Sequence, residues 1–465
     1  MSKPPNPIAP SPRPALFPAP TWEGPQGSQS PIGIPLQLED LEALLTPGRF
    51  LEALHQGIAQ ARTRITLAAL YLQDDTAGRE VLEALHQAKR RRPELDVRVV
   101  VDWHRARRGR IGEASSEGNA GFYREVTARL GDGVPIYGVP IQTRELLGVF
   151  HLKGFLFDDT VLYSGASLND VYTARLGPYR LDRYHLIRSV PLANAMNDFI
   201  TDLLVTDPAV TRLDLPETPF PSGRNARIRR LRGALRKAAY RFPSPLEEPA
   251  LSVTPLVGLG SRDNGLNRAL VDLVGSAQQS LVLLTPYFNL PRVLRTAVSR
   301  LLERGVEVRI VLGAKEANDF FIPAPATFTP IGLLPYLYEA NLRRFARAHQ
   351  SAIRANLLHL HLWRDGANTF HAKGLFVDGH TSVLTGNNLN PRAWTLDLEN
   401  ALVIKDREEL LRARHGLELE HLLHHAPRLA HYKELQAVAD YPPEVQPLMK
   451  SLKWVRADRL LNRVL

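Results

Sequence analysis

Apolar and polar positions alternate between two periods along most of this chain. From Leu41 to Ala61 the apolar side chains recur at helical spacing, and Ile65 to Leu72 follows as a short apolar run of strand length. Gly78 to Arg91 is again helical and Asp96 to Asp102 again a strand. The same order returns later, with helices over Leu266 to Ser276 and Pro291 to Glu303 and strands over Ser280 to Leu284 and Val306 to Leu312. Alternation of this kind predicts an α/β fold in which mixed sheets pack between helices, and its repetition predicts two pseudo-symmetric halves. The reading divides the chain into a Pro-rich disordered segment over 1–38, a first half over 39–215 and a basic connector helix over 216–250. A second half covers 251–430 and a basic C-terminal segment 431–465.

The repetition extends to chemistry. His151-Leu-Lys153 followed by Asp158, and His371-Ala-Lys373 followed by Asp378, place one pattern, His-x-Lys-x4-Asp, twice in the chain. Phe150 to Phe157 and Phe370 to Val377 read as short buried strands, on which residues two apart share a face, so each His and Lys should point the same way. Asp158 and Asp378 have the opposite parity and read as scaffold acceptors. Gly154 and Gly374, just past the lysines, suggest close approach of a neighbouring element. Small and amide side chains follow both copies, Ser167 and Asn169 in Ser164 to Asp170 and Asn388 and Asn390 in Thr385 to Pro391, as donors for phosphate oxygens. About thirty residues past each histidine lies a carboxylate, Asp182 in the first half and Glu399 in the second. Each is expected to accept the far N–H of the histidine in its own half and fix the reactive tautomer.

These residue types suit transfer at a phosphodiester. A neutral imidazole attacks an anionic centre more readily than an anion does, a second imidazole serves as acid and then base, and two ammonium groups neutralise the charge on the non-bridging oxygens. The scheme calls for no metal and no cofactor. The two motifs are expected to meet at an interface between the halves, with the site there.

Composition narrows the setting. A hydrophobic fraction of 44% is that of a globular protein, and no run approaches eighteen apolar residues, which argues against a spanning helix. Met1 to Ser30 is rich in Pro, Ser and Gly without the apolar core of a signal peptide, and reads as disordered and cytoplasmic. The absence of cysteine removes disulfides and thiolate metal sites. A formal charge of +10 suits an anionic phospholipid surface, a nucleotide-bearing substrate or nucleic acid.

Several segments carry two readings. Arg224 to Phe242 holds eight Arg or Lys and no acid, with Ile228, Leu231, Leu235, Ala238 and Phe242 at helical spacing: either a membrane-surface helix or an interdomain helix with a solvated basic face. Arg105, Arg107, Arg108 and Arg110 follow a strand end, where Arg105 and Arg108 can bind phosphate or simply be surface charge. Leu448 to Leu465 mixes basic residues with Leu and Trp454 without one continuous apolar stripe, which favours packing onto the body. Tyr287, Phe288, Tyr336 and Tyr338 line a pocket or fill a core. His421, His424 and His425 have a spacing a metal can use but lack evident partners.

The doubled motif resembles the phospholipase D superfamily. Val101-Asp-Trp-His-Arg105, Tyr163 to Tyr172, Asp182 to Arg188, Ser252 to Gly260, Thr285 to Pro291, Ala317-Asn-Asp-Phe320, Leu334 to Glu339 and Gly386 to Asn400 are similar to its proteobacterial phosphatidylserine synthases. That resemblance covers nearly everything from about residue 40 onward and implies a phospholipase D-like fold. It implies transfer of a phosphatidyl group from CDP-diacylglycerol to L-serine, through a phosphatidyl-histidine, at the cytoplasmic face of the inner membrane of a Gram-negative bacterium. It makes His151 and His371 the nucleophile and acid/base pair, His151 the nucleophile by analogy, with Lys153, Lys373, Asn169 and Asn390 on phosphate. Asn169 and Asn390 lie one residue further past their glycines than in the commoner superfamily pattern. The partners implied are the two substrates and an anionic membrane surface, with nucleic acid not expected as substrate. A cardiolipin synthase-like transferase, a lipase and a nuclease are the alternatives.

Overall fold

The computed structural model describes residues 32–108, 117–216, 223–323 and 326–454. The expectations for Met1 to Ser30, for Arg110 and for the stretch beyond Trp454 lie outside the described residues. Two eight-stranded mixed sheets form the centre. In the first half we label β1 Leu41–Ala43, β2 Arg64–Ala68, β3 Asp96–Asp102, β4 Ile136–Val139, β5 Gly154–Phe157, β6 Thr160–Ser164 and β7 Tyr184–Arg188. In the second, β8 is Leu251–Leu259, β9 Ser280–Thr285, β10 Glu307–Gly313, β11 Leu358–Trp363, β12 Gly374–Val377, β13 Thr381–Thr385 and β14 Leu398–Asp406.

The two sheets share one plan. Their orders are β4-β3-β2-β5-β6-β7-β1 and β11-β10-β9-β12-β13-β14-β8, parallel among the first three strands and antiparallel in the rest. Thr211–Arg212 extends the first and Ile34–Pro35 the second. That last pairing corrects the extent of the disordered N-terminal reading, since Ile34 and Leu36 are buried against the second half. The region read as helix from Leu41 likewise begins as strand β1 on β7, and the helix α1 runs Pro47–Gln60 behind a Thr46 cap and a proline at its start. Edge pairing outweighs helical spacing over those first three residues.

Each sheet is covered on both faces, which explains why its strands are apolar throughout rather than alternating. One face of the first sheet packs on α1 and α2 (Thr76–Arg91) through Phe50, Leu54, Val81 and Leu82. The helices Gly265–Ser276 and Arg292–Glu303 cover the second in the same way through Leu270 and Val298. The remaining faces share a single core in which Val100, Leu156 and Val161 meet Val253, Leu402 and Ile404. The connector α3 (Arg224–Lys237) buries Ile228, Leu231 and Leu235 in that shared core and turns Arg229, Arg230, Arg236 and Lys237 outward. Its apolar stripe is therefore used inside the protein. No helix among the described residues is long and apolar enough to cross a membrane.

The motif aspartates are structural. Asp158 and Asp378 sit at positive φ (50° and 52°) in the β5–β6 and β12–β13 turns. Asp158 accepts the backbone N–H groups of Arg62 (2.8 Å), Thr63 (2.8 Å) and Arg64 (3.0 Å). Asp378 does the same for Gln278, Gln279 and Ser280, each at 2.8 Å. Each clamp ties the motif hairpin to the start of the neighbouring central strand. We expect Asp158→Ala to leave three backbone N–H groups and the Thr63 hydroxyl without their acceptor, cost about 2 kcal/mol and lower the melting temperature by on the order of 5 °C in calorimetry. An unchanged melting temperature would remove the clamp from the stability of the fold.

Candidate active site

The motif strands begin later than their apolar pattern suggests. β5 and β12 open at Gly154 and Gly374, and His151 to Lys153 and His371 to Lys373 lie ahead of them in irregular backbone. Both glycines have φ near +140° (141° and 138°), a conformation that favours glycine and bends the chain off the sheet. A methyl at Gly154 would meet Met196 Cε at 2.5 Å, and one at Gly374 the Val383 carbonyl at 2.2 Å. The His-x-Lys segments are held instead by the opposite half. His151 N–H donates to the Leu398 carbonyl (3.0 Å), and His371 N–H to that of Leu181 (2.7 Å). Two parallel contacts, Phe150 with Leu398 and Arg180–Leu181 with Thr369–Phe370, lock this exchange.

That crossing reverses the expected carboxylate pairing. His151 Nδ1 lies 2.9 Å from both oxygens of Glu399, in the second half. His371 Nδ1 faces Asp182 at 3.7 Å and the Tyr172 hydroxyl at 2.9 Å, both in the first half. The own-half assignment fails because the residues just before each carboxylate, Leu398 and Leu181, bond to the backbone of the other half's motif. Both histidines, both lysines, Asp182 and Glu399 are buried in one place.

The lysines cross as well. Lys373 Nζ pairs with Asp182 at 2.5 Å and passes over Gly165, where a methyl would stand 2.6 Å from Nζ. The stem of Lys153 passes over Gly386, where a methyl would stand 2.7 Å from Cγ. Asn400 grips the backbone of Lys153 from both sides, accepting its N–H and donating to its carbonyl at 2.9 Å each. Lys153 Nζ reaches Ser167 Oγ at 3.4 Å. The glycines after β6 and β13 are thus where each half admits the other's ammonium group.

Burial dominates the titration of the site. It holds His151 well below the ordinary imidazole value, with Lys153, Lys373 and His371 acting in the same direction. His371 is lowered to about 4 by burial and then Lys373, against Asp319 and Asp182. Lys153 is pushed down to about 7 by burial and then by Lys373, and Lys373 is lowered by burial against the pull of Asp182. Burial works to raise Asp182, but Lys373 and His371 outweigh it and hold that carboxyl low. Glu399 is pushed well up by burial and then Asp397, while Lys153, Lys373 and Arg392 draw it back. Both imidazoles are held toward their neutral form near pH 7.

Asn169 and Asn390 cap the helices Asp170–Thr173 and Pro391–Thr395, accepting from Tyr172 N–H (3.0 Å) and Ala393 N–H (2.9 Å). Their amide nitrogens lie 3.4 Å from the hydroxyls of Tyr71 and Tyr287. Asn388 also donates to Tyr287, at 3.3 Å. Arg105 rests over the Tyr71 ring at 5.1 Å, beside Asn169, whereas Arg108 is bound to Glu145 at 2.6 and 2.9 Å. Tyr287 stacks on Tyr338 at 4.4 Å, while Phe288 joins the second core and Tyr336 packs on Tyr441. No group of three or more His, Asp or Glu is placed to hold a metal among the described residues.

Further residues, most of them given no role of their own by the sequence, complete the site. Asp102 and Asp397 accept the N–H groups of Phe150 (2.8 Å) and Val149 (3.0 Å) and so fix the approach to His151. Tyr71 and Tyr287 occupy matching places in the two halves, six residues past Ile65 and Leu281, so the repeat itself marks them. Asn400, Tyr172, Arg180 and Asp319 have no counterpart in the repeat that would have drawn notice.

Comparison with known proteins follows the same lines. Residues 270–417 match the family model described as "Cardiolipin synthase, PLD-like domain". The chain is 48% identical over 429 residues to the CDP-diacylglycerol–serine O-phosphatidyltransferase PssA of Escherichia coli K12, covering 92% of this chain and 95% of that one. It is 45% identical to the Haemophilus influenzae enzyme of the same name, covering 92% and 96%. The crystal structure of phosphatidylserine synthase from Haemophilus influenzae superposes with a TM-score of 0.90 at 44% identity, covering 94% of this chain and 97% of that one. Shared fold, near-complete coverage and identity at this level place the chain in the CDP-diacylglycerol–serine O-phosphatidyltransferase family of transferases, on the phospholipase D-like fold.

Proposed function

We propose that the chain transfers a phosphatidyl group from CDP-diacylglycerol to L-serine, giving phosphatidylserine and CMP by way of a phosphatidyl-histidine. The supporting observation is the crossed pair of neutral, buried imidazoles set between two lysines. With the ring proton on Nδ1, donated to Glu399, the lone pair of His151 Nε2 is available to attack the phosphorus that carries diacylglycerol. The P–O bond to CMP breaks and its electrons leave on CMP, a stable anion that needs little protonation. Lys153 and Lys373 neutralise the charge on the non-bridging oxygens, with Asn169 and Asn390 as further donors. In the second step His371 Nε2 takes the serine hydroxyl proton, the oxygen attacks phosphorus, and the P–N bond breaks to return the lone pair to His151. The energy of the cleaved pyrophosphate is kept in the P–N bond, so the second displacement runs without a further energy source.

The lipid substrate resides in a bilayer, and the exposed basic face of α3 supplies a means of reaching one. Arg229, Arg230, Arg236 and Lys237 face outward there, and adsorption to an anionic leaflet is worth about 1 kcal/mol per basic residue at the surface. This is electrostatic docking at the cytoplasmic face of the inner membrane, with no apolar insertion of the helix.

Two measurements test the reaction. In micelles of CDP-diacylglycerol the protein should exchange labelled CMP without serine and release CMP far faster with it. His151→Ala should lower both by at least about a hundredfold, and His371→Ala the serine reaction more than the exchange. Equal use of water or phosphatidylglycerol in place of serine, or cleavage of DNA in place of lipid, would overturn the assignment. The second concerns pH. Lys153 titrates at about 7, so its ammonium is present below that value and lost above it. Hence kcat/KM for CDP-diacylglycerol should fall as pH rises through about 7. Lys153→Met should be slower throughout and lack the alkaline decline; a decline that persists in that variant would assign it to another group.

A further inference from the structure

The acceptor must present a hydroxyl to His371 Nε2, so whatever surrounds that atom selects the acceptor. The Nδ1 side is filled by Tyr172 and Asp182. On the Nε2 side stands Asp319, with Oδ2 at 3.6 Å. Its other oxygen, Oδ1, lies 3.0 Å from Arg180 Nη2 as an ion pair, and this buried oxygen accepts no hydrogen bond. Arg180 itself is set by Thr369 Oγ1 at 3.3 Å and lies over the Tyr172 ring at 4.8 Å. Both side chains are largely buried, each 16% exposed.

A buried carboxylate oxygen that has an ion-pair partner but no hydrogen bond is costly, and its position beside a reacting atom suits a group that takes a ligand's donor. The neighbouring guanidinium carries the opposite charge and presents a flat face of N–H donors suited to a carboxylate. One anion and one cation beside a proton-accepting nitrogen match an amino acid that carries an ammonium, a carboxylate and a hydroxyl on adjacent carbons.

Resting on the transfer reaction proposed above, we infer that Asp319 and Arg180 form the L-serine subsite, Asp319 receiving the α-ammonium and Arg180 the α-carboxylate, so that the hydroxyl is delivered to His371 Nε2. The two side chains part to admit the zwitterion, and each exchanges its partner for the matching charge on serine. Amino alcohols that lack the carboxylate and hydroxy acids that lack the ammonium each leave one of the pair facing a poorer contact. The same arrangement assigns the proton-accepting role to His371 and leaves attack on phosphorus to His151.

The test uses the full-length enzyme with CDP-diacylglycerol micelles and three acceptors: L-serine, ethanolamine and 3-hydroxypropionate. In the unaltered enzyme serine should exceed both others in kcat/KM by roughly 10- to 100-fold. Arg180→Gln should raise the serine KM and shrink the preference for serine over ethanolamine, and Asp319→Asn should shrink that for serine over 3-hydroxypropionate. In both variants the loss in serine kcat/KM should exceed the loss in serine-independent CMP exchange by at least about tenfold. Equal losses in the two reactions, or unaltered acceptor preferences, would overturn the subsite, and so would an unaltered enzyme that uses ethanolamine as well as serine. Failure of the unaltered enzyme to exchange CMP or to use serine would instead overturn the transfer reaction itself.

Discussion

Each imidazole of the site depends on a carboxylate delivered by the other half of the chain. A neutral ring has two tautomers, and only a partner on Nδ1 decides which nitrogen carries the lone pair into the cavity. Glu399 does this for His151 at 2.9 Å, and the Tyr172–Asp182 pair occupies the corresponding side of His371. Because the partners are exchanged, neither half holds an oriented histidine alone. The core that Val100 and Leu156 share with Val253 and Leu402 is therefore as much a part of the catalytic apparatus as the rings, since a shift of one sheet against the other would separate both pairs at once.

The electrostatic design follows from burial. Two ammonium groups, two imidazoles and the carboxyls of Asp182 and Glu399 are buried together before any substrate arrives. Lys373 has its own carboxylate at 2.5 Å, whereas the Lys153 nitrogen reaches the Ser167 hydroxyl, at 3.4 Å. Burial and then the neighbouring Lys373 drive Lys153 down to about 7, so it gains from an incoming phosphoryl anion. The donors are fixed beforehand, by Asn400 on the backbone of Lys153 and by the glycines that leave room for each stem, so little reorganisation remains for the reacting state.

Much of this was legible in the sequence because duplication makes weak signals strong. The paired His-x-Lys-x4-Asp patterns, the repeated strand–helix order and the reading of Asp158 and Asp378 as scaffold acceptors follow from residue type and spacing; the folded chain has the repeated order, and both aspartates accept backbone N–H groups. The strand reading of His151 to Lys153 failed because an apolar run does not reveal a backbone kink, which Gly154 and Gly374 impose through positive φ. The carboxylates were found but given to the wrong rings, since a one-dimensional reading pairs what is near in sequence, and here Leu398 and Leu181 bond across the interface. Asp319 and Arg180 carried no periodic or duplicated signal; only the fold brings them to His371.

The exchanged partners can be observed directly by nitrogen-15 NMR of protein labelled in its histidine rings, comparing the unaltered chain with Glu399→Gln and Asp182→Asn. Crossed pairing predicts that Glu399→Gln alters the ring-nitrogen shifts and tautomer of His151 while leaving those of His371 nearly in place, and that Asp182→Asn does the reverse. Perturbation of His371 by Glu399→Gln, with His151 unaffected, would contradict it.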